Sequence, residues 1–589
     1  MPRTTLALTS FVSGEFGNKL TGRTDFDKYS SAAKTMENFL VHPQGAATRR
    51  VGTQFISEVK DSSKKTRLIP FEFSTTQTYI LEFGNQYIRF FKDKGQILSS
   101  GSAYEIASPY LEAELFDIKF AQSADVMYIC HPNHPVKKLS RTGHTSWTLA
   151  TVSFGGSPSP GITGSNNRPS SVSFYEQRLV FAGTNNNPQT LWFSKAGDYE
   201  NFTTGTNADN AMIYTIASNQ VNAIKYLKAQ RTLVVGTTGG EFTVSADGTD
   251  ASITPTNVTI KKQSSYGSAN VDAVTAGNAI LFLQKAKRKI RELQYNFDSD
   301  SYVAPDLTIL NDTVTKTGIN EMSFQQEPSS IIWCVRDDGV LAALTYQRSE
   351  SVVAWTRHIF GGAFGSGNAV CESVASISGV LTEDEVWVII KRTINGATKR
   401  YVECFSDFEF DEGTSADFKF LDSHLSYSGS STTTLSGLAH LEGQSVSILA
   451  DGSVHANKTV SSGAITLDRA ITKACVGLSY DSILQTMRIE GGAAEGTSQG
   501  KTKRISKVVL RLFETVGVKV GPSLSNLETI PFRTTSSNLS SPVETLIEGD
   551  KEIEFNDDYN SDGFIFIKQD QPLPCSVLSI YPTLVTSDG

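Results

Sequence analysis

No Cys-x-x-Cys pair occurs anywhere in this chain, which removes the simplest zinc and dithiol readings at once. The six cysteines, Cys130, Cys334, Cys371, Cys404, Cys475 and Cys575, are scattered through 589 residues, so no disulfide framework is expected and each reads as a small buried apolar side chain. Long apolar runs are missing too. Strings such as VWVII at 386–390 are strand-sized, well short of the roughly 20 residues a membrane-spanning helix needs. The opening MPRTTLALTSFVSGEFG is broken by Thr and Ser before a signal-peptide core can build, so a soluble chain without a secretory leader is expected. An excess of positive charge is also absent: 53 Lys and Arg face 61 Asp and Glu, a net charge of −8. Bulk attraction to nucleic acid or membrane is thereby disfavoured, and only local patches remain.

What the chain has is apolar and aromatic material. Hydrophobic residues make up 39% of it, with 33 Phe and 19 Tyr, enough for ordered cores in several domains or in one large repeat architecture. Asp25 or Asp27 can cap a helix over 25–40, where Tyr29, Ala32, Ala33, Met36, Phe39 and Leu40 keep helical spacing before Pro43 and Gly45. A second helical stretch is expected from Ser108-Pro109 through YLEAELFDI.

Strand signals dominate the rest. β-rich runs begin near Tyr79, Val126, Leu179, Leu233, Ile280, Ile331 and Val386, spaced by subtraction at 47, 53, 54, 47, 51 and 55 residues. Each is followed by a turn and a second strand, with Asp338-Gly339 and Asn395-Gly396 suited to tight hairpins. Three or four antiparallel strands per repeat of this length predict the blades of a propeller, whose radial packing covers faces that small sheets cannot bury alone. The expected fold class is therefore all-β: an irregular β-propeller with an additional small β-domain and a short N-terminal helical platform segment. A string of β-sandwich domains is the alternative that strand spacing leaves open.

The expected boundaries are 1–60 for the helix and docking platform, 61–410 for the blades and 411–500 for an inserted β-domain with an Asp451-Gly452 hairpin. Strands in 501–589 are left to close the propeller or the platform. A Ser-, Thr- and Pro-rich loop is expected over 522–548.

Enzyme signatures weaken on inspection. EGTSQGKT at 495–502 has one residue too few between its glycines for a phosphate-binding loop. DYNSDG at 558–563 opens like a calcium loop, but its twelfth position is Gln569 and its flanks read as strands. His131 and His134 in HPNHP could hold a metal only with ligands from elsewhere. No G-x-S-x-G elbow occurs, and carboxylates are too plentiful to nominate an acid and a base.

Two basic clusters remain. Lys285, Lys287, Arg288, Lys289 and Arg291 would put four cations on one face of a strand, and Lys501, Lys503, Arg504, Lys507 and Arg511 form the second cluster. Either could meet phosphate or an acidic neighbour, or simply protect a solvated edge strand. The adjacent pair Arg49 and Arg50 could grip a nucleic acid, dock a subunit or solvate a loop.

Several stretches together resemble one family. They are FVSGEF…LTGRTDFDKYSSAAKTMENFLVHPQGAATRRVGTQFI near the start, SFYEQRLVFAGTNNNPQTLWFSKAGDYENF at 173–202 and DDGVLAALTYQRSESVVAWTRHIFGG at 337–362. INGATKRYVE at 394–403, GLAHLEGQSVSILADGSV at 437–454 and GLSYDSILQTMRIE…GTSQGKTKRISKVVLRL at 477–512 continue the match. The chain resembles the tail nozzle proteins of short-tailed bacteriophages, also called tail tubular protein B and related to packaged-DNA stabilisation proteins.

The resemblance implies a non-enzymatic virion protein of the tail. It also implies a homo-hexameric tube of irregular propellers below the portal and adaptor rings, one that would retain packaged DNA and let it leave. Implied partners are the adaptor ring, tail fibres or spikes, and double-stranded DNA passing without sequence specificity. No catalytic residue, metal, cofactor or small-molecule substrate is implied.

Six copies carry −48 by multiplication, and an acidic bore lets phosphate slide, with either basic cluster acting as a braking ring or a subunit joint. Arg49 and Arg50 then fall on the platform that meets the ring above. An extended chain sends them apart, one pairing within the chain and the other docking across an interface. The competing expectation is a glycan-binding or glycan-degrading propeller, which needs paired carboxylates and exposed Trp in a cleft.

Overall fold

The computed structural model describes residues 3–217, 220–248, 251–298, 300–379, 383–408, 415–491, 497–532 and 546–587. Between residues 53 and 405 the described residues form seven antiparallel blades of four adjacent strands, four of them separate four-stranded sheets and three continued by further strands. The first runs through Arg67–Ser74, Gln77–Gly84, Tyr87–Lys92 and Gly95–Gln96, and the second through Lys119–Ser123, Val126–His131, His134–Gly143 and Ser146–Thr151. The third and fourth open at Ser171–Tyr175 and Ile224–Ala229, the fifth and sixth at Val274–Ala276 and Ile319–Gln325, and the seventh at Val370–Ile377. Each of the seven periodic β-rich starts falls in the second strand of a sheet. In Arg178–Ala182 the reason for their apolar character is visible: Leu179 and Phe181 pack toward the second sheet, Val180 and Ala182 toward the fourth. A blade covered on both faces loses the polar alternation of a half-exposed strand.

Buried side chains fill every gap around the circle. Separate clusters join sheets one to two, two to three, three to four, four to five and five to six. A large cluster spans six and seven, and another returns from seven to one. The architecture is a seven-bladed propeller. Its ring is locked by Thr53–Glu58, which forms the fourth strand of blade seven, with Thr53 opposite Phe405 and Glu58 opposite Tyr401. Closure by the C-terminal strands, the other possibility, does not occur. Those strands return to the N-terminal segment instead.

That return builds a second β-body. Beyond blade six, the strand Val352–His358 continues parallel with Gly14–Glu15 and Ala32–Glu37, then through Ser482–Thr486, Phe566–Gln569, Lys519–Ser523 and Asn526–Thr529. A second sheet orders Phe39–Val41, Ala47–Arg49, Ser576–Ser587, Thr502–Thr515 and Ile547–Glu554, and Arg3–Thr5 also pairs with Ser576–Ser587. A third unit, Asp422–Ser436 with Ser445–Ala450, Ser453–Thr459 and Ala464–Leu478, touches the closing strand of the propeller through His424 and Gln54. The long hairpin turns at Asn395-Gly396 and Asp451-Gly452 have positive φ at both residues; at Asp338-Gly339 only the glycine does.

The helical platform is not found. Residues 27–31 make one 3-10 turn, followed by strand Ala32–Glu37, Asn38 at φ 56° and strand Phe39–Val41. Strand partners on both edges of Ala32–Glu37 satisfy its backbone hydrogen bonds, and this tertiary pairing overrides a spacing that also suits a helix. The second helical expectation shrinks to the 3-10 turn Glu112–Asp117. Within the expected loop 522–548 a strand forms at Asn526–Thr529, and residues 533–545 lie outside the described residues. Among the described residues no helix is long and apolar enough to cross a membrane.

Candidate functional site

Arg49 and Arg50 are 1% and 0% exposed, which corrects their assignment as adaptor-docking or DNA-gripping groups. The strand Ala47–Arg49 carries both into the joint where propeller, middle unit and C-terminal strands meet. Arg49 donates to the carbonyls of Leu573 (2.8 Å), Tyr480 (2.9 Å) and Gln571. Arg50 clasps Asp422 through both oxygens at 2.8 and 2.7 Å and donates to Asn38 Oδ1 at 2.8 Å. Both guanidiniums stack on Tyr480, at 4.5 and 3.8 Å from the ring centre.

A second buried pair, Arg392 with Glu403, is tied to the first by the Thr53 hydroxyl, which donates to Glu403 Oε2 at 2.6 Å. The chain passes so close to the middle unit here that a side chain on Gly52 would lie 1.9 Å from Leu421 O. Burial opposes ionisation of Asp422, but the Arg50 charge and its hydrogen bonds hold the carboxyl below its usual range. One of the two arginines thus pairs within the chain as expected. The other is spent on carbonyls of the C-terminal segment.

The first basic cluster is not a strand stripe. Lys285 to Lys289 form the turn between the second and third strands of blade five, with Lys287 at φ 61°, so the two-residue alternation never applies. Lys287 bonds Asn320 Oδ1 at 3.0 Å, Lys289 pairs with Asp306 at 2.8 Å, and Arg291 is buried beneath the Tyr266 ring and donates to Ala304 O. Lys285 and Arg288 stand exposed at the tip.

The second cluster does lie on a strand, Thr502–Thr515. A register shift between Ile505 and Lys507 keeps Ile505, Val508, Leu510 and Leu512 inward while Arg504, Lys507 and Arg511 point away from the core. Lys501 precedes the strand and is half-buried. Lys503 is buried, donates to Ile489 O at 3.1 Å, and burial pushes its pKa down. The neighbouring edge strand presents Glu548, Asp550, Glu552 and Glu554 on its exposed face, and Lys507 meets Glu552 at 3.1 Å and Arg511 meets Asp550 at 3.4 Å. Exposed pairs of this kind contribute about 0–1 kcal/mol and leave the face free to exchange partners.

The HPNHP turn does acquire a third group: Glu114 comes from 20 residues away, and one ligand atom from each of Glu114, His131 and His134 lies within 4.8 Å of the others. Hydrogen bonds already engage Glu114, His134 and one nitrogen of His131, while His131 Nε2 is buried without a partner. His134 Nε2 is 2.8 Å from Glu114, and His131 Nδ1 accepts from Asn133 N at 3.1 Å, which puts the hydrogen of that neutral ring on Nε2, the wrong form for a metal ligand. Burial raises the Glu114 carboxyl, but the Leu111 N–H, His134 and Asn133 outweigh it and hold Glu114 at about 2.

In the calcium-like turn, Asn560 Oδ1 accepts from the Asp562 and Gly563 N–H groups at 2.9 and 2.7 Å, and Asp562 pairs with Arg488. Residues 495 and 496 of EGTSQGKT lie outside the described residues. Burial pushes all six thiols up, Cys475 and Cys575 to about 12, so none is poised as a nucleophile. All five Trp are buried, none more than 6% exposed, and the aromatic platform a glycan cleft would need is not made of Trp.

Sequence reasoning passed over the charges on the first strand of the blades. Arg67, Lys119, Lys228 and Glu321, joined by Asp272 just before the fifth blade, turn toward the propeller axis. The available signal was a charge in the strand preceding several of the apolar runs, as in RLIPFEF and IKYLKA.

No protein-family model and no curated protein sequence matches the chain. Among solved structures it is similar to the β-propeller domain of Cps50 (Swd1) from Myceliophteria thermophila, at 10% identity and TM-score 0.36, covering 60% of this chain and 100% of that one. The WD40 domain of Pan2 from Neurospora crassa matches at 9% identity and TM-score 0.35, covering 61% of this chain and 96% of that one. The WD40 repeats of RRP9 match at 8% identity and TM-score 0.37, covering 61% of this chain and 100% of that one. The ring of seven sheets, rather than these distant likenesses, carries the propeller assignment.

Proposed function

We propose that this chain is a structural subunit of the tail nozzle of a short-tailed bacteriophage, a hexameric tube through which packaged DNA is retained and then released. The observation that carries the reading is the run of residue-level resemblances from FVSGEF to ISKVVLRL. They are spread over blade three, blade six, the middle unit and the strand Thr502–Thr515 rather than gathered in one motif. The chemistry of the surface supports it. The net charge of −8 disfavours tight DNA capture, while Lys285, Arg288, Arg504, Lys507 and Arg511 offer a few exposed cations where a passing phosphate or a neighbouring copy could be met.

Two measurements test the reading. Mass photometry of the purified chain, alone and mixed with the tail adaptor ring, is expected to show a particle of about 384 kDa, six times 64.0 kDa. A monomer in both conditions overturns it. Charge reversal confined to the exposed cations, Lys285→Glu with Arg288→Glu in one variant and Arg504→Glu, Lys507→Glu and Arg511→Glu in the other, spares the buried Arg291 and Lys503. At least one variant is expected to lose DNA retention or ring assembly. Unchanged retention and assembly in both removes the clusters from the mechanism.

A further inference from the structure

The propeller axis holds a cavity of about 320 Å3, lined from the first strands of six of the seven blades and from the segment entering blade five. Five charged side chains reach it. Arg67 donates from Nε to Glu321 at 2.8 Å and from Nη1 to the carbonyls of Leu115 and Ile118 at 3.0 and 2.8 Å. The second Glu321 oxygen accepts from Ser373 Oγ at 2.6 Å and Val374 N at 3.0 Å, so this pair is finished internally. Lys119 pairs with Asp272 at 2.9 Å, and Arg67 Nη2 approaches the same carboxylate at 3.9 Å.

Lys228 is the remainder. It lines the same space, is only half-buried, and makes no hydrogen bond or ion pair among the described residues. Three cations therefore face two carboxylates, leaving one positive charge without a partner. The Ser376 hydroxyl, also on the cavity wall, is buried and has no hydrogen-bond partner either. An unmatched charge and an unmatched hydroxyl on the wall of one polar space offer a cation and a donor to a single acceptor-rich group. The Asp272 side chain is 42% exposed, so solvent reaches the cavity. Its volume takes roughly ten waters at about 30 Å3 each, ample for a small ion that keeps part of its hydration.

We propose that the axial cavity is a binding site for a small oxyanion, a carboxylate or monobasic phosphate, with Lys228 as its charged anchor and the Ser376 hydroxyl as a donor. A dianion fits less well, because Asp272 and Glu321 stand on the same wall and only one positive charge is in excess. Burial lowers the pKa of Lys228 and Asp272 partly restores it, and Arg67, Lys119 and Glu321 line the same cavity from blades one, two and six. A bound anion favours the ammonium form, so binding takes up protons at alkaline pH and affinity falls as pH rises. The site is independent of the nozzle reading, since it is built within one propeller.

Calorimetric titration of the full chain with sodium acetate and with inorganic phosphate, at ionic strength fixed with chloride, tests it. Saturable one-to-one binding of at least one anion is expected, and which anion binds separates carboxylate from phosphate. Lys228→Gln is expected to weaken binding at least tenfold, Lys228→Arg to keep it within about threefold, and Ser376→Ala, which removes only a hydroxyl, to weaken it severalfold. No saturable heat with either anion, or unchanged binding in both Lys228→Gln and Ser376→Ala, overturns the proposal.

Discussion

Arg50→Ala is expected to lower stability by about 3–5 kcal/mol, the range for removing one partner of a buried ion pair. The cost comes from what is left behind more than from what is lost. Asp422, with its side chain fully buried, keeps the Gly361 N–H at 2.8 Å but no cation in contact, and Asn38, Ile359 O and the Tyr480 face lose a donor or a stacked charge. Because Asp422 opens the middle unit and Arg50 belongs to the segment leading into the closing strand of the ring, the damage is not local. Limited proteolysis is expected to cut the middle unit free of the propeller at lower denaturant than in the parent.

A size-matched apolar replacement of both partners, Arg50→Met with Asp422→Leu, is expected to recover at least half of the lost stability, since no charge then remains buried alone. Denaturant midpoints of the three variants decide the matter. A docking role for Arg50 predicts the opposite pattern, normal stability with failed assembly, and a midpoint for Arg50→Ala within the error of the parent would reinstate it.

That contrast shows where local sequence stops being informative. The blades were legible because each second strand is covered on both faces, so IIWCV and VWVII are written as continuous apolar runs whatever the rest of the chain does. The closing strand was not, because TQFISE finds its register only against Tyr401–Phe405, more than three hundred residues later. The same distance hides the role of Arg50, whose carboxylate partner lies 372 positions away.

Periodicity misled at 25–40 for a related reason. Ala32, Ala33 and Met36 are buried on one strand and Phe39 and Leu40 on the next, and burial on both faces erases the difference between a period of two and one of 3.6. The Lys285–Arg291 run failed as a stripe because a charge count does not reveal a turn, and the turn here, with Lys287 at φ 61°, has no two-residue alternation. The axial charges went unnoticed because each appears alone in its repeat. Only ring closure brings Arg67, Lys119, Lys228, Asp272 and Glu321 to one place.

Stability is expected to fall steeply between pH 6.5 and pH 4, with His424 and His440 as the main cause. Both belong to the joint between the middle unit and blade seven. His424 donates from Nδ1 to Leu421 O at 3.0 Å; His440 donates from Nε2 to Ser423 O at 2.9 Å and stacks on Phe55 at 3.9 Å. Burial is the largest influence on each and pushes both rings down to about 4, so they are neutral in the fold through the window in which an unfolded histidine, near 6.5, becomes charged.

The unfolded chain therefore binds more protons than the native one across that window. Stability rises with pH there at about 1.4 kcal/mol per pH unit for each ring, or about 3 kcal/mol per ring from end to end. Buried His358, held well below its ordinary value by burial and the nearby Arg50 charge, steepens the same slope. Asp422 acts in a separate, lower window: its depressed carboxyl contributes stability above the usual carboxylate value that disappears as pH falls through its folded one.

His424→Asn and His440→Gln keep a donor near each accepting carbonyl but cannot take up a proton. Urea unfolding of the double variant at pH 7, 5.5 and 4.5 is expected to start slightly below the parent and to fall less steeply, by about 2.7 kcal/mol per pH unit at most. If the two slopes coincide, these rings are not what senses acid in this joint.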